Sequence, residues 1–412
     1  MVHCYCKKWF MVLNPQKCIM VVTGKSKFDQ VKIGDEEISQ NMIHDHVGIP
    51  VFSPKILDNL EYISSRISNA RRSFNMFLGM TNNFGGLDPL TTAKLYWACI
   101  VPKLVYGLHL VSINDKCLRK LEQFHIFCAK RIQGLPQHSP SEGVLPQLGW
   151  ITLKGYMDKL LLQFLFHICK QNNNSIVKRV FLSRVSHIAK ESSSQYSKSP
   201  ASNIINCARK YCIYSEAMVI MNVDGDSPYI RSKIKWKTVV DKAVMKHETD
   251  MWKSNVLLFP KLIIYKSVIT MIDPCVWWRV AKQKPELSRK CKVLMKMLCN
   301  VYGFMTNRCK YDKSSSMYGR SNICKMCGEE VEDLIHCLFL CLGYANERLN
   351  LYDKVREICD IELVNLNVNE RVLFLFGSCS INGVDYNVVL AEAILRYIHD
   401  VHTKRSALFI MS

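Results

Sequence analysis

No stretch of this sequence approaches the ~18 consecutive apolar residues that a membrane-crossing helix requires. The longest apolar tract, Leu160 to Cys169, is interrupted by Gln163 and His167. Met1 to Val22 sets Lys7 and Lys8 early and then only a short apolar patch before Asn14 and Pro15, which reads neither as the apolar core of a secretory signal nor as a span. Acidic residues are scarce: 35 Asp and Glu stand against 55 Lys and Arg, a formal net charge of +20. That surplus points to a polyanionic partner through counterion release. Nucleic acid is the first candidate and an anionic membrane surface the second, and a basic surface without a ligand also fits. No internal repeat is present. The 19 cysteines lack the arrangement of a secreted disulfide framework, being scattered and odd in number. They imply a reducing, intracellular setting, nuclear or cytoplasmic, with most thiols buried as small hydrophobes.

Hydrophobic residues make up 49% and charged residues 22% of the 412, enough for a core in two or three domains. The first fifty residues read as β, with short strands at Ile19 to Val22, Val31 to Gly34 and Val47 to Ile49 and a turn at Gly24. From Lys55 the apolar residues Ile56, Leu57, Leu60, Ile63, Ile67, Ala70, Phe74 and Phe77 recur every three or four positions, as on an amphipathic helix. Gly85-Gly86 makes a turn, and Asp88-Pro89 fits an N-cap followed by a first-turn proline. Pro102 is expected to kink or end that helix. Leu118 to Ile132 forms a further helix stopped by Gly134 and Pro136, and Leu160 to Ile168 another. Gln171 to Ser175 and Glu191 to Ser202 read as linkers, and Lys310 to Ser316 as a loop. Trp236 to Trp252, Leu287 to Tyr302 and Val388 to Ile398 carry helical patterns.

The sharpest chemical motif is Cys324, Cys327, His336 and Cys341, spaced C-x2-C-x8-H-x4-C. Three thiolates and an imidazole suit a closed tetrahedral zinc site, and four protein ligands leave no open position, so the expected Zn2+ is structural. Cys337 competes with Cys341 for the fourth place, and four unrelated residues in a cysteine-rich chain would give the same letters. Arg66, Arg71, Arg72, Lys94, Lys103, Lys116, Arg119, Lys120, Lys130 and Arg131 recur along the helical region. They suit a phosphate track, with Tyr96 and Trp97 as stacking partners, although solvated helix faces account for any one of them. Lys17, after Asn14-Pro15, reads as an exposed lysine in a strand-turn-strand. His44-Asp45-His46 and Asp224-Gly225-Asp226 lack ligand spacing and are set aside.

Together these pieces resemble the C-terminal part of a LINE-type, non-LTR retrotransposon reverse transcriptase, jockey-like elements in particular. Trp9, Asn14-Pro15 and Lys17 resemble the motif just past the catalytic centre. His46-Val47-Gly48-Ile49 is similar to the next one, with Val47 where the family has Leu. Ile63 to Phe74, Ala93 to Tyr106, Leu121 to Pro136 and Leu148-Gly149-Trp150 look like thumb and post-thumb helices. Cys324 to Cys341 is similar to the C-terminal zinc module. The resemblance implies an α+β chain, predominantly α-helical, in this order: 1–54, the end of the polymerase palm; 55–187, thumb and post-thumb; 188–203, a Ser-rich linker; 204–320, a helical connector; 321–412, the zinc module and C-terminal helices.

One departure governs the functional expectation. The family's aspartate pair holds two metal ions on the transferring phosphate, and no Asp-Asp dipeptide occurs in this sequence. The resemblance therefore implies RNA and DNA template binding without polymerisation by this chain. Lys17 is then a vestigial motif lysine, no residue is catalytic, and Mg2+ belongs only to intact relatives. No small-molecule substrate and no membrane partner are expected. The acidic-Lys pattern of a restriction-like endonuclease is not found after Cys341, where Asp360 and Glu362 stand isolated. Two other readings stay open: a full reverse transcriptase whose catalytic part precedes Met1, and a zinc-stapled scaffold or the product of a decayed element.

Overall fold

The computed structural model describes residues 2–21, 31–33, 36–41, 43–46, 49–52, 60–82, 87–111, 113–190, 199–221, 232–311, 322–377 and 386–410. The expectations at Val22, Gly24, Gly34, Val47-Gly48, Lys55 to Leu57, Gly85-Gly86, 191–198, Asp224 to Asp226 and 312–316 lie outside them. The chain is predominantly helical, and among the described residues every strand falls within 19–52. Ile19–Met20 pairs in parallel with Ser39–Gln40, while Lys32–Ile33 with Glu36–Glu37 and Ile43–His46 with Ile49–Phe52 are antiparallel. The strand-turn-strand expected around Trp9 to Lys17 is corrected. Val2–Lys8 is a helix, and Asn14 caps a 3-10 turn over Pro15–Lys17 by accepting the Gln16 N–H at 3.0 Å. An Asn before a Pro is an N-cap and a first-turn proline, so the dipeptide starts a helical turn.

Contacts divide the chain into two compact units, each discontinuous in sequence. The first comprises Met1–Arg71, Val101–Leu121 and Tyr156–Val240. Here the buried Trp236, on the Lys233–Leu257 helix, donates to the Leu162 carbonyl at 2.8 Å. The buried Asp158 carboxylate accepts from Lys210 at 3.0 Å and from Tyr211 at 2.9 Å. Trp236 and Asp158 thus each have partners, which offset the loss of their water. Gln171 to Ser175 is a tight turn between the Leu153–Cys169 and Ile176–Lys190 helices. The Ser-rich stretch gives way to the Pro200–Lys210 helix, where Ser199 is the N-cap and Pro200 the first residue.

The second unit comprises Arg72–Ile100, Glu122–Gly155 and Asp241–Ser412. Asp88 caps the Pro89–Leu95 helix as expected, accepting from Leu90 at 2.9 Å and Thr91 at 3.0 Å. Pro102 does not end the helical run. A π turn over Tyr96–Ile100 leads into the short Val101–Val105 helix, loosening the hydrogen-bond ladder where proline has no N–H to give. The Asp115–Gln133 helix stops at Gly134, whose φ of +66° suits glycine, and Leu135 N–H closes on the Lys130 carbonyl at 2.9 Å. Farther on, Ala345–Cys359 and Ser288–Leu298 both pack on Val388–Ile410. Of the described cysteines 11 are buried and all are free thiols, in keeping with their expected role as small hydrophobes.

Candidate metal centre

A short irregular segment builds the site. Residues Ile323 and Val331 form an antiparallel bridge, and Cys324 N–H donates to the Glu330 carbonyl at 2.7 Å. The chain therefore doubles back on itself between Cys324 and Glu330. Gly328, at φ +77°, makes the reversal possible, and its N–H returns to the Cys324 carbonyl at 2.8 Å. This turn delivers Cys324 and Cys327. A π turn over His336–Leu340 delivers the other two, with Cys341 N–H bonded to the His336 carbonyl at 2.8 Å. Arg348 holds the Cys341 carbonyl at 2.9 Å.

The ligand atoms of Cys324, Cys327, His336 and Cys341 lie within 4.8 Å of one another. Cys324 and Cys341 sulfurs are 3.8 Å apart, and Cys327 Sγ is 3.5 Å from His336 Nε2. A sulfur pair in a disulfide sits at about 2.05 Å, so this is not one. A tetrahedral ion about 2.3 Å from each sulfur and about 2.0 Å from nitrogen sets its ligands about 3.5–3.8 Å apart, which matches both distances. The residues fit a metal ion. Cys337, the rival ligand, stays outside the cluster, buried completely, with its thiol pushed far up by burial.

Electrostatics prepare the ligands. Burial pushes the Cys327 thiol up, but the backbone N–H groups of Glu329 and Glu330, helped by Cys324 and His336, outweigh it and bring the value down to about 7. Burial raises Cys324 and takes Cys341 to about 12. A cation held by these residues would favour the thiolates over the thiols. His336 Nδ1 lies 2.8 Å from the Glu330 carboxylate, and its backbone N–H donates to Asp333 at 2.8 Å. With the Nδ1 proton given to Glu330, the lone pair is on Nε2, facing Cys327. Behind the cluster, the Glu332 carboxylate is buried against Arg405, 2.7 Å from both Nε and Nη2, and also accepts the Met305 N–H at 2.7 Å. This pair ties the segment to the C-terminal helix. Sequence reasoning passed over Glu330 and Glu332, for which no spacing rule exists.

The proposed nucleic-acid residues are placed less uniformly. In the first unit Arg71, Lys103 and Arg119 are exposed, as is Lys17. Arg66 turns its guanidinium onto the Tyr106 carbonyl at 2.8 Å and the Tyr62 hydroxyl at 2.9 Å, and Lys120 donates to Ser64 at 3.2 Å. In the second unit Arg72, Lys94 and Arg131 are exposed, whereas Lys130 is 6% exposed and donates to the Gln137 carbonyl at 2.8 Å. Burial lowers the Lys130 pKa. Tyr96 offers no face to a base. It is fully buried, stacked on Trp150 at 4.7 Å, with its hydroxyl 2.9 Å from His125 Nδ1. Trp97 is half-buried, edge-on to Trp150. His44 lies on a paired strand and belongs to no metal-ligand group among the described residues.

No protein-family model matches the chain, and neither a curated protein nor a solved structure matches it. Among the described residues no helix is long and apolar enough to cross a membrane.

Proposed function

We propose that this chain is a nucleic-acid-binding part of a LINE-type reverse transcriptase, with a structural zinc ion on Cys324, Cys327, His336 and Cys341. The observation that carries the zinc reading is the convergence of three sulfurs and one imidazole nitrogen within 4.8 Å of one another, with the Cys324–Cys341 and Cys327–His336 pairs at the separations a tetrahedral ion sets. Soft thiolate donors select zinc over calcium or magnesium, which take oxygen ligands. Four protein ligands close the shell, so the ion stabilises the fold and has no open position for chemistry. The net charge of +20, with Arg71, Arg72, Lys94, Lys103, Arg119 and Arg131 exposed, supports RNA and DNA as partners. The motif order from Trp9 to Cys341 supports the family reading. With no aspartate pair, polymerisation is not assigned to this chain.

Metal content and a salt titration test the two halves separately. The purified chain is expected to carry one zinc, lost in Cys324→Ser and His336→Ala; retention of one equivalent in both overturns the ligand assignment. Binding to a single-stranded RNA or DNA is expected to weaken steeply as salt rises. Weak binding without a salt slope favours a protein scaffold instead.

A further inference from the structure

We propose that the second unit carries a binding site for a small organic cation, an amine or amidine on an apolar body, in the hollow between Trp150 and Trp252. The hollow measures about 140 Å³. An apolar cavity of roughly 150 Å³ accommodates benzene, so this one takes a single ring or a short alkyl chain. Ile126, Met251 and Ile272 complete its apolar walls, and Glu248 lines it with a carboxylate.

That carboxylate gives the hollow its selectivity. Glu248 is 3% exposed. Its Oε2 accepts the N–H of Thr152 at 3.1 Å and the Thr152 hydroxyl at 2.8 Å. Its Oε1 has no hydrogen-bond partner among the described residues, and no cation is paired with Glu248 there. Gly155 leaves room for the group, since a Cβ at that position would come 2.7 Å from Oε1. A ligand N–H⁺ directed at this carboxylate gains a charge-assisted hydrogen bond, about twice as strong as a neutral one. The lining contains no Lys, Arg or His among the described residues, although the chain carries a net charge of +20. Glu142, the other acid lining the hollow, lies within electrostatic reach of Lys130, so Glu248 is the acid left to be matched. Indole walls favour a cation over an anion through their electron-rich faces. Phosphate is excluded by the same carboxylate, so the site is separate from any nucleic-acid track and does not depend on that reading.

Benzylamine, charged at neutral pH, is the probe and benzyl alcohol its neutral counterpart. Tryptophan fluorescence and calorimetry on the full chain read binding. Benzylammonium is expected to bind at least about tenfold more tightly than the alcohol, the increment of one charged hydrogen bond. Glu248→Gln retains an oxygen for Thr152 and is expected to remove that preference. Met251→Trp, at an exposed rim position, is expected to block both probes. Equal affinity for the two probes, an undiminished preference in Glu248→Gln, or no binding of benzylammonium at its solubility limit overturns the proposal. Should Glu248→Gln fail to fold, unimpaired benzylammonium binding by Met251→Trp overturns it.

Discussion

His336 is aimed by Glu330. The carboxylate on Nδ1 selects the tautomer that leaves Nε2 facing Cys327, 3.5 Å away. Glu330→Gln is expected to weaken metal affinity about 10–100-fold without losing the stoichiometry, as chelator competition reads it. Cys337→Ser is expected to keep one metal equivalent, whereas Cys341→Ser is expected to lose it. The spacing of the four ligands was legible in the sequence, because a turn carries its ligands at fixed intervals. Glu330 was not, since a carboxylate six residues before a histidine follows no rule until the chain folds back. Another hidden carboxylate is Glu122, which accepts the Lys154 N–H at 2.7 Å. Burial, with the nearby Glu248, raises it from 4.5 to about 7 against the pull of the Lys154 and Leu153 N–H groups. Its folded value exceeds its unfolded one, so the native chain binds the extra proton in that window and stability falls as pH rises through it. Glu122→Gln is expected to flatten the slope between pH 4.5 and 7 and to raise stability at pH 8 by up to about 3 kcal/mol, read by urea unfolding at several pH values.

Among elements, some helix boundaries were readable where a capping residue and a proline coincide, or where a glycine follows the last turn. Asp88-Pro89 and Gly134 show this. The same chemistry was misread at Asn14-Pro15, taken for a hairpin turn, and at Ser199-Pro200, taken for the end of a linker. Turns and N-caps use the same residues, and only the hydrogen-bond partner two or three residues on tells them apart. Asp88 is 6% exposed and satisfies two backbone N–H groups, so Asp88→Ala is expected to cost about 1–2 kcal/mol in thermal or urea unfolding. The link between the metal segment and the Val388–Ile410 helix is stronger. Arg405→Met leaves the Glu332 carboxylate buried and unmatched and is expected to cost about 3–5 kcal/mol. Urea unfolding of the metal-loaded chain measures it, and a change below about 1 kcal/mol is incompatible with a buried pair.

For the whole molecule, charge and packing sort the candidate nucleic-acid residues differently from sequence order. Arg66 and Lys130 direct their donors at carbonyls, and Tyr96 lies in an aromatic nest with His125 and Trp150. Burial lowers His125 to about 4, so it stays neutral there, donating from Nε2 to the Ile151 carbonyl at 3.1 Å. The motif residues Ala93 to Ile100 and Leu148 to Trp150 thus supply core to the second unit. Reversing the charge of the exposed Arg71 and Arg119 together is expected to reduce the slope of log affinity against log salt by about 2 or more, while the buried Lys130 offers no comparable contribution.

The sequence by itself determined the helical character of the chain, the basic balance and the spacing of Cys324, Cys327 and His336, with the fourth place left between Cys337 and Cys341. Each of these is written in local period, composition or spacing. Tertiary structure decided which cations remain at the surface, that Cys341 and not Cys337 joins the cluster, and that Glu330, Glu332 and Glu248 meet partners distant in the chain or in irregular backbone. Those outcomes depend on where burial removes water, and burial is a property of the packed chain that no local pattern of residues carries.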